Sequence, residues 1–343
     1  MTLPLRAPFA PMEALSVDEI PRGTQWQYEP KWDGFRCLVF RDGKHIELQS
    51  KSGRSIKRYF PEIAVALGGL AAKKFVLDGE IAVPADGGFS FDDLLQRIHP
   101  AASRINKLAF ETPALFILFD LLVDADGRSF ASVTLDERRR MLENFFYKFC
   151  RGASQFRLSP ATTNLGVAKQ WLKKSGQVLD GIIAKRRDSP YRPGERTGMQ
   201  KIKNYRSADC VVGGFRYNEG KSVVGSLLLG LYDRAGLLHH VGFTSTIKEQ
   251  EKTPLTRKLK PLIAPPGFTG NAPGGPSRWS TKRSAEWQPL KPKLVVEVCY
   301  DHFTGVRFRH GVRLLRWRPD KPPRQCTLDQ IVQRRSNLMM LLT

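Results

Sequence analysis

Short apolar runs, many alternating with polar residues, punctuate the first two hundred positions of the chain. CLVF at 37–40 and HIEL at 45–48 flank Arg41-Asp42-Gly43-Lys44, which predicts a hairpin turning at the glycine. KFVLDGEIAV at 74–83 predicts a buried strand, and FDDLLQRI at 91–98 a helix capped by Ser90. ALFILFDLLV at 114–123 fits either period; its Phe and Ile content and its length predict a strand. LDERRRMLENFFYKF at 135–149 has helical spacing at Leu135, Arg139, Leu142 and Phe146, and DGIIAKR at 180–186 reads as another strand. The sum is an α+β domain around an antiparallel sheet.

Beyond Lys203 the texture changes. ADCVVGGFRYN, SLLLGLYD, LLHHVGFTS, LVVEVCYDHF and VRLLRWRP are short, alternating and punctuated by glycine, which predicts a small closed β-barrel. A Lys-, Pro- and Gly-rich insertion around 247–290, partly helical at 248–259 although broken by Pro254, runs on to Trp279 and Trp287. The expected domains are 1–203 and 204–343, and no internal repeat is found.

Composition agrees: 343 residues suit two domains, and 41% hydrophobic with 26% charged residues excludes wholesale disorder. No apolar run approaches the ~18 residues of a membrane span. The N-terminus, with Arg6, Pro4, Pro8 and Pro11, makes a poor signal peptide. Five scattered cysteines without a C-x-x-C argue against a disulfide scaffold or zinc site and for a reducing cytoplasm. The net charge of +22 changes the picture more, since residues 204–343 carry 23 Lys and Arg against 10 acids. Such a field attracts a polyanion, and nucleic acid is the partner it favours over a ribosomal contact or a merely soluble basic surface.

Glu29-Pro30-Lys31-Trp32-Asp33-Gly34-Phe35-Arg36 sets a lysine beside carboxylates, an arginine and a glycine ahead of the first hairpin. Such a lysine can act as a nucleophile, although a salt-bridged strand start would look the same. Companions follow in order: Ser50-Lys51-Ser52-Gly53-Arg54, Leu77-Asp78-Gly79-Glu80, Phe119-Asp120-Leu121, Asp180 to Lys185, and Gln200-Lys201-Ile202-Lys203. Cations for phosphates, carboxylates for metal and a ring for a base are what a nucleoside triphosphate with a divalent metal requires.

This ordered set resembles the covalent nucleotidyltransferases, and most closely the ATP-dependent DNA ligases, over residues 29–321. The resemblance makes Lys31 similar to the lysine that becomes adenylylated, with Glu29 at the adenine and Arg36 at the ribose. It implies ribose or metal contacts for Glu80, stacking on adenine for Phe119, a metal role for Asp180 and a phosphate role for Lys185. Lys201 and Lys203 would face the α-phosphate with Arg196 as a neighbour. Arg316, Arg318 and Lys321 resemble the motif carried on the family's OB-fold. Three departures stand out: Lys51 where arginine is usual, Asp180 where glutamate is commoner, and Met199-Gln200 in place of a tryptophan. Lys51 loses the bidentate fork of arginine, and the shorter Asp180 implies a metal contact through water.

The implied fold is an antiparallel-sheet adenylation domain followed by an all-β OB-fold domain. The implied activity is sealing of nicks in duplex DNA through a lysyl-AMP intermediate, with ATP as AMP donor and Mg2+ or Mn2+. The C-terminal stretch is most like the compact C-type bacterial ligases of break repair. This implies a monomer at the bacterial nucleoid, in the cytoplasm, working in repair and recombination beside other break-repair proteins and with no membrane partner. No helical DNA-binding domain is expected before the catalytic one. An RNA ligase or capping-type guanylyltransferase would share the lysyl-nucleotide chemistry, and a non-enzymatic DNA-binding protein would need only the charge. Gly214 to Ser222 imitates a P-loop with one residue too many and reads as a hairpin turn. Cys299 and His302 lack a second metal-binding pair, and His239-His240 fits one inward and one outward residue of a strand. Arg138-Arg139-Arg140 is expected on a solvated helix face.

Overall fold

Side-chain alternation across two sheets organises the first part of the chain. The structure, a computed structural model, describes residues 2–85, 88–174, 179–274, 286–331 and 339–342. Met1–Asn204 and Arg335–Thr343 form one compact unit, and Tyr205–Arg334 forms the other.

The first unit's longer strands are β1 (Trp26–Trp32), β2 (Phe35–Asp42), β3 (His45–Ser50), β4 (Lys74–Ala82), β5 (Leu115–Val123), β6 (Phe156–Leu158), β7 (Leu179–Arg186) and β8 (Met199–Ile202). One sheet has the order β3-β2-β4-β5-β6, antiparallel but for its last pair. The other runs β8-β7-β1, with Leu15–Ser16 added in parallel along β8. Every strand expected from the sequence in this unit is present. In β1, Trp26, Tyr28 and Trp32 enter an apolar cluster with Trp171, Ile182 and Ala184. The alternate positions Gln27, Glu29 and Lys31 are thereby turned to the other face.

Ser90 caps the helix Phe91–Gln96 by accepting from Asp93 N at 3.1 Å. The helix Leu135–Phe145 starts at Thr134 and passes into one π-helical turn at Phe146–Cys150. Its arginines correct the expectation of a solvated face: Arg140 is exposed, but Arg138 and Arg139 are buried. Arg138 forks onto Asp120 (2.8 and 3.2 Å), and Arg139 donates to Ser159 O at 2.9 Å. Acceptors on the neighbouring strand and loops make that burial tolerable.

The second unit contains β9 (Arg206–Tyr217), β10 (Val224–Tyr232), β11 (Leu238–Thr244), β12 (Val295–Tyr300) and β13 (Arg313–Trp317). They follow the order β11-β10-β9-β12-β13 around Val211, Phe215, Leu227, Leu229, Val241 and Val296. Val312 N bonds Phe243 O at 3.0 Å and Leu314 N bonds Thr246 Oγ1 at 2.8 Å, so the chain at β13 approaches the opposite edge of the sheet at β11. The P-loop mimic is the β9–β10 turn, with Gly220 at φ 64°. In the insertion, the helix Glu249–Leu259 runs through Pro254; Trp279 lies outside the described residues. Among the described residues, no helix is long and apolar enough to cross a membrane.

Candidate active site

The two sheets of the first unit wall a cavity of about 720 Å³. β1 contributes Glu29 and Lys31, β2 Arg36, β4 Glu80, β5 Phe119, β7 Lys185 and β8 Lys201; Lys51 follows β3. Two β-bulges shape this wall. Pairing of β4 with β5 steps from Asp78–Asp120 to Gly79–Leu118 and leaves Phe119 as the extra residue. Pairing of β7 with β1 steps from Leu179–Trp32 to Gly181–Lys31 and leaves out Asp180. A bulge re-aims its side chain, and here it does so for the ring and for an acid. Gly181 permits the second bulge: its φ is +133°, and a Cβ would stand 2.0 Å from Ile202 O. Gly34 is required for a different reason, since a Cβ there would meet Ile81 O at 2.3 Å.

Lys31 Nζ donates to Asp180 Oδ2, and Lys203 Nζ lies 3.5 Å from Asp180 Oδ1. Asp180 therefore holds two lysines. Glu29 is buried, accepting from Gln27 Nε2 at 2.9 Å and pairing with Lys185 Nζ at 2.9 Å. Lys185 Nζ and Arg36 Cζ lie 4.7 and 4.6 Å from the Phe119 ring centroid, within cation–π range.

Arg36 is anchored from below. Its Nε and Nη2 fork onto the fully buried Asp78 at 2.6 Å each. Burial alone would weaken the Arg36 charge, but Asp78 outweighs it and raises the pKa. Tyr191 Oη donates to Asp78 at 2.6 Å and accepts from Met12 N at 2.9 Å. Burial, then the adjacent Asp78, pushes the Tyr191 hydroxyl well above its usual range, so it remains a donor.

Glu80 lines the cavity, yet surrounding protein desolvates its carboxyl and pushes its pKa up to about 8 despite Lys31 and Arg36 nearby. Lys201 is lowered, first by burial and then by Lys31 and Lys203. Lys51 and the more peripheral Arg196 both reach Glu13 at 3.3 Å, which lowers the Glu13 pKa against the opposing effect of burial. Arg316, Arg318 and Lys321 belong to the second unit.

Asp78, Tyr191 and Glu13 escaped the sequence reading. Asp78 carried a signal, because alternation along β4 puts it on the face of Glu80. Glu13 carried none: its segment reaches the cavity through Leu15–Ser16 pairing and the Met12 bonds. The assembled groups suit a nucleotide, with a ring and a buried carboxylate for the base, cations for phosphates, and an amine able to bond to phosphorus.

Comparison with known proteins agrees with this chemistry. Residues 11–203 match the model of the ATP dependent DNA ligase domain, and residues 220–321 that of the ATP dependent DNA ligase C terminal region. DNA ligase C2 of Mycolicibacterium smegmatis is 43% identical, covering 96% of this chain and 96% of that protein. The multifunctional non-homologous end joining DNA repair protein LigD of Mycobacterium tuberculosis is 32% identical over 88% of this chain and 37% of its own length. A solved structure from a study of Lig E DNA ligases shares the fold, with a TM-score of 0.54, 17% identity, and coverage of 90% of this chain and all of the other.

Proposed function

Because the chain belongs to the ATP-dependent DNA ligases, we propose that it seals nicks in duplex DNA by passing one adenylyl group through Lys31. Lys31 Nζ attacks the α-phosphorus of ATP and releases pyrophosphate, leaving lysyl-AMP. The AMP passes to the 5′-phosphate at the nick, turning a poor leaving group into a good one. The 3′-hydroxyl then attacks that phosphorus, and AMP departs. The observation that carries this reading is the Lys31 amine, hydrogen-bonded to Asp180 on a cavity wall that also bears Phe119 and four further cations, Arg36, Lys51, Lys185 and Lys201.

Asp180 orients the amine and can take the proton it loses. Lys201 and Lys203 neutralise charge at the α-phosphate, while Phe119 and Glu29 hold the adenine. Glu80 fits a divalent cation, because a metal replacing the proton would relieve a desolvated carboxyl whose pKa stands near 8. Among the described residues no three His, Cys, Asp or Glu side chains gather into a metal cage. Glu80 would hold a magnesium or manganese ion, which would supply neutralisation of the triphosphate charge. Asp180 would join it only by releasing a lysine.

We assign Arg316, Arg318 and Lys321 to the triphosphate during adenylylation, as cations able to offset its charge. The kinship with an end joining repair protein supports work in break repair and recombination. We assign the enzyme to the bacterial nucleoid as a monomer. The test is incubation with magnesium and ATP labelled on its α-phosphate. Label should stay on the denatured protein and be lost in Lys31→Ala, which should still seal a pre-adenylylated nick at a reduced rate. Undiminished labelling of the variant would overturn the assignment. GTP in place of ATP, and RNA strands at the nick, separate capping-type and RNA-ligase chemistry.

A further inference from the structure

Gln27 shares a face of β1 with Glu29 and Lys31, because side chains two apart on a strand point the same way. Glu29 and Lys31 line the cavity; Gln27 does not. It is nonetheless only 6% exposed, and its amide is used inside the protein, with Nε2 donating to Glu29 Oε1 at 2.9 Å. Across the sheet Gln27 stands in register with Lys185 of β7, and Glu29 with Ile183. Lys185 thus reaches Glu29 diagonally, its Nζ 2.9 Å from Oε2. The same ammonium donates to Phe119 O at 3.3 Å, so one lysine ties the carboxylate to the strand that carries the ring.

The two ties to Glu29 do different things. A carboxylate that is only 2% exposed needs a countercharge, which Lys185 provides. One tie leaves the terminal torsion of a glutamate a broad range. Gln27 holds the second oxygen and so fixes the plane of the carboxylate, without adding a charge. Each oxygen keeps room for one more hydrogen bond, and a carboxylate offers only acceptors. Adenine presents an amino donor at its six-position, whereas guanine presents an oxygen acceptor there. A carboxylate fixed in place therefore favours ATP over a nucleotide without that amino group.

We propose that Gln27 is a positioning residue for nucleotide selection: its amide sets the Glu29 carboxylate in the plane from which it accepts the six-amino group of adenine. This rests on the proposed adenine contact of Glu29. Glu29 is the group that touches the base, and Gln27 acts only through it.

The test uses the full chain, magnesium and two nucleotides labelled on the α-phosphate: ATP, and purine riboside triphosphate, which lacks the six-amino group. Label retained on the denatured protein is measured across concentrations of each. The wild type is compared with Gln27→Met, which keeps the length of the side chain and removes its donor. The wild type should show the lower KM for ATP. In Gln27→Met the ATP KM should rise about fivefold, with the maximal rate and the analogue's KM each within about twofold, so the preference for ATP shrinks. Gln27→Asn, whose donor falls one methylene short, should move the preference the same way, and it decides the matter if the first variant melts well below the wild type. An unchanged ATP KM, or an equal loss with both nucleotides, would overturn the positioning role alone. If the wild type itself uses the two nucleotides equally, the adenine contact of Glu29 falls and the inference with it.

Discussion

Phe119 shows what one residue's surroundings add to its identity. As a phenylalanine in an apolar run it looks like core. The bulge between β4 and β5 turns it into the cavity, where Arg36 and Lys185 approach its ring. If adenine stacks there, Phe119→Ala should raise the ATP KM by an amount worth about 1–3 kcal/mol, the range for base–aromatic stacking. A titration of self-adenylylation against ATP measures it, and an unchanged KM would return Phe119 to the core. The same contrast applies to Asp180, for which the family resemblance implied a metal role but whose bulged position delivers it to Lys31 and Lys203.

Strands and helices were legible wherever their period was clean. The alternation of β1 separates an aromatic face from one bearing Glu29 and Lys31, and it needs no distant contact to do so. The bulges were not legible, because the extra residue is defined by what the partner strand pairs with. The burial of Arg138 was equally hidden: a charged residue on a helix reads as solvated until another strand presents Asp120. At this scale His240 of β11 gives a pH test. Burial, then Arg216 and Arg307, lowers its pKa to about 4, against a backbone hydrogen bond at Gly242 that acts the other way. Between about pH 6.5 and 4 the unfolded imidazole binds a proton that the folded one refuses, so this contribution to stability falls as pH drops. Comparing melting temperatures of the wild type and His240→Asn across that window should show a gap that shrinks toward acid pH. The effect should be on the order of 2 kcal/mol at the acid end, and a gap independent of pH would count against it.

The whole molecule carries +22, and its basic excess is an argument about association that holds for any fold. If this charge serves duplex DNA, log K for nick binding should fall with log salt at about −0.9 per phosphate neutralised. Binding isotherms at several salt concentrations give that slope directly, and a flat dependence would remove the charge from the account of DNA binding. By itself the sequence determined the two textures of the chain, its basic field, and the ordered lysines and carboxylates, because periodicity, composition and spacing are local properties. Only the tertiary structure decided that Asp78 and Tyr191 anchor Arg36, that Glu13 reaches Lys51 and Arg196, and that Arg318 pairs with Asp209 while Arg316 pairs with Glu297. Each of those facts is a distance between residues far apart in the chain, set by which strands pair and where their register slips, and no pattern along the sequence encodes such a distance on its own.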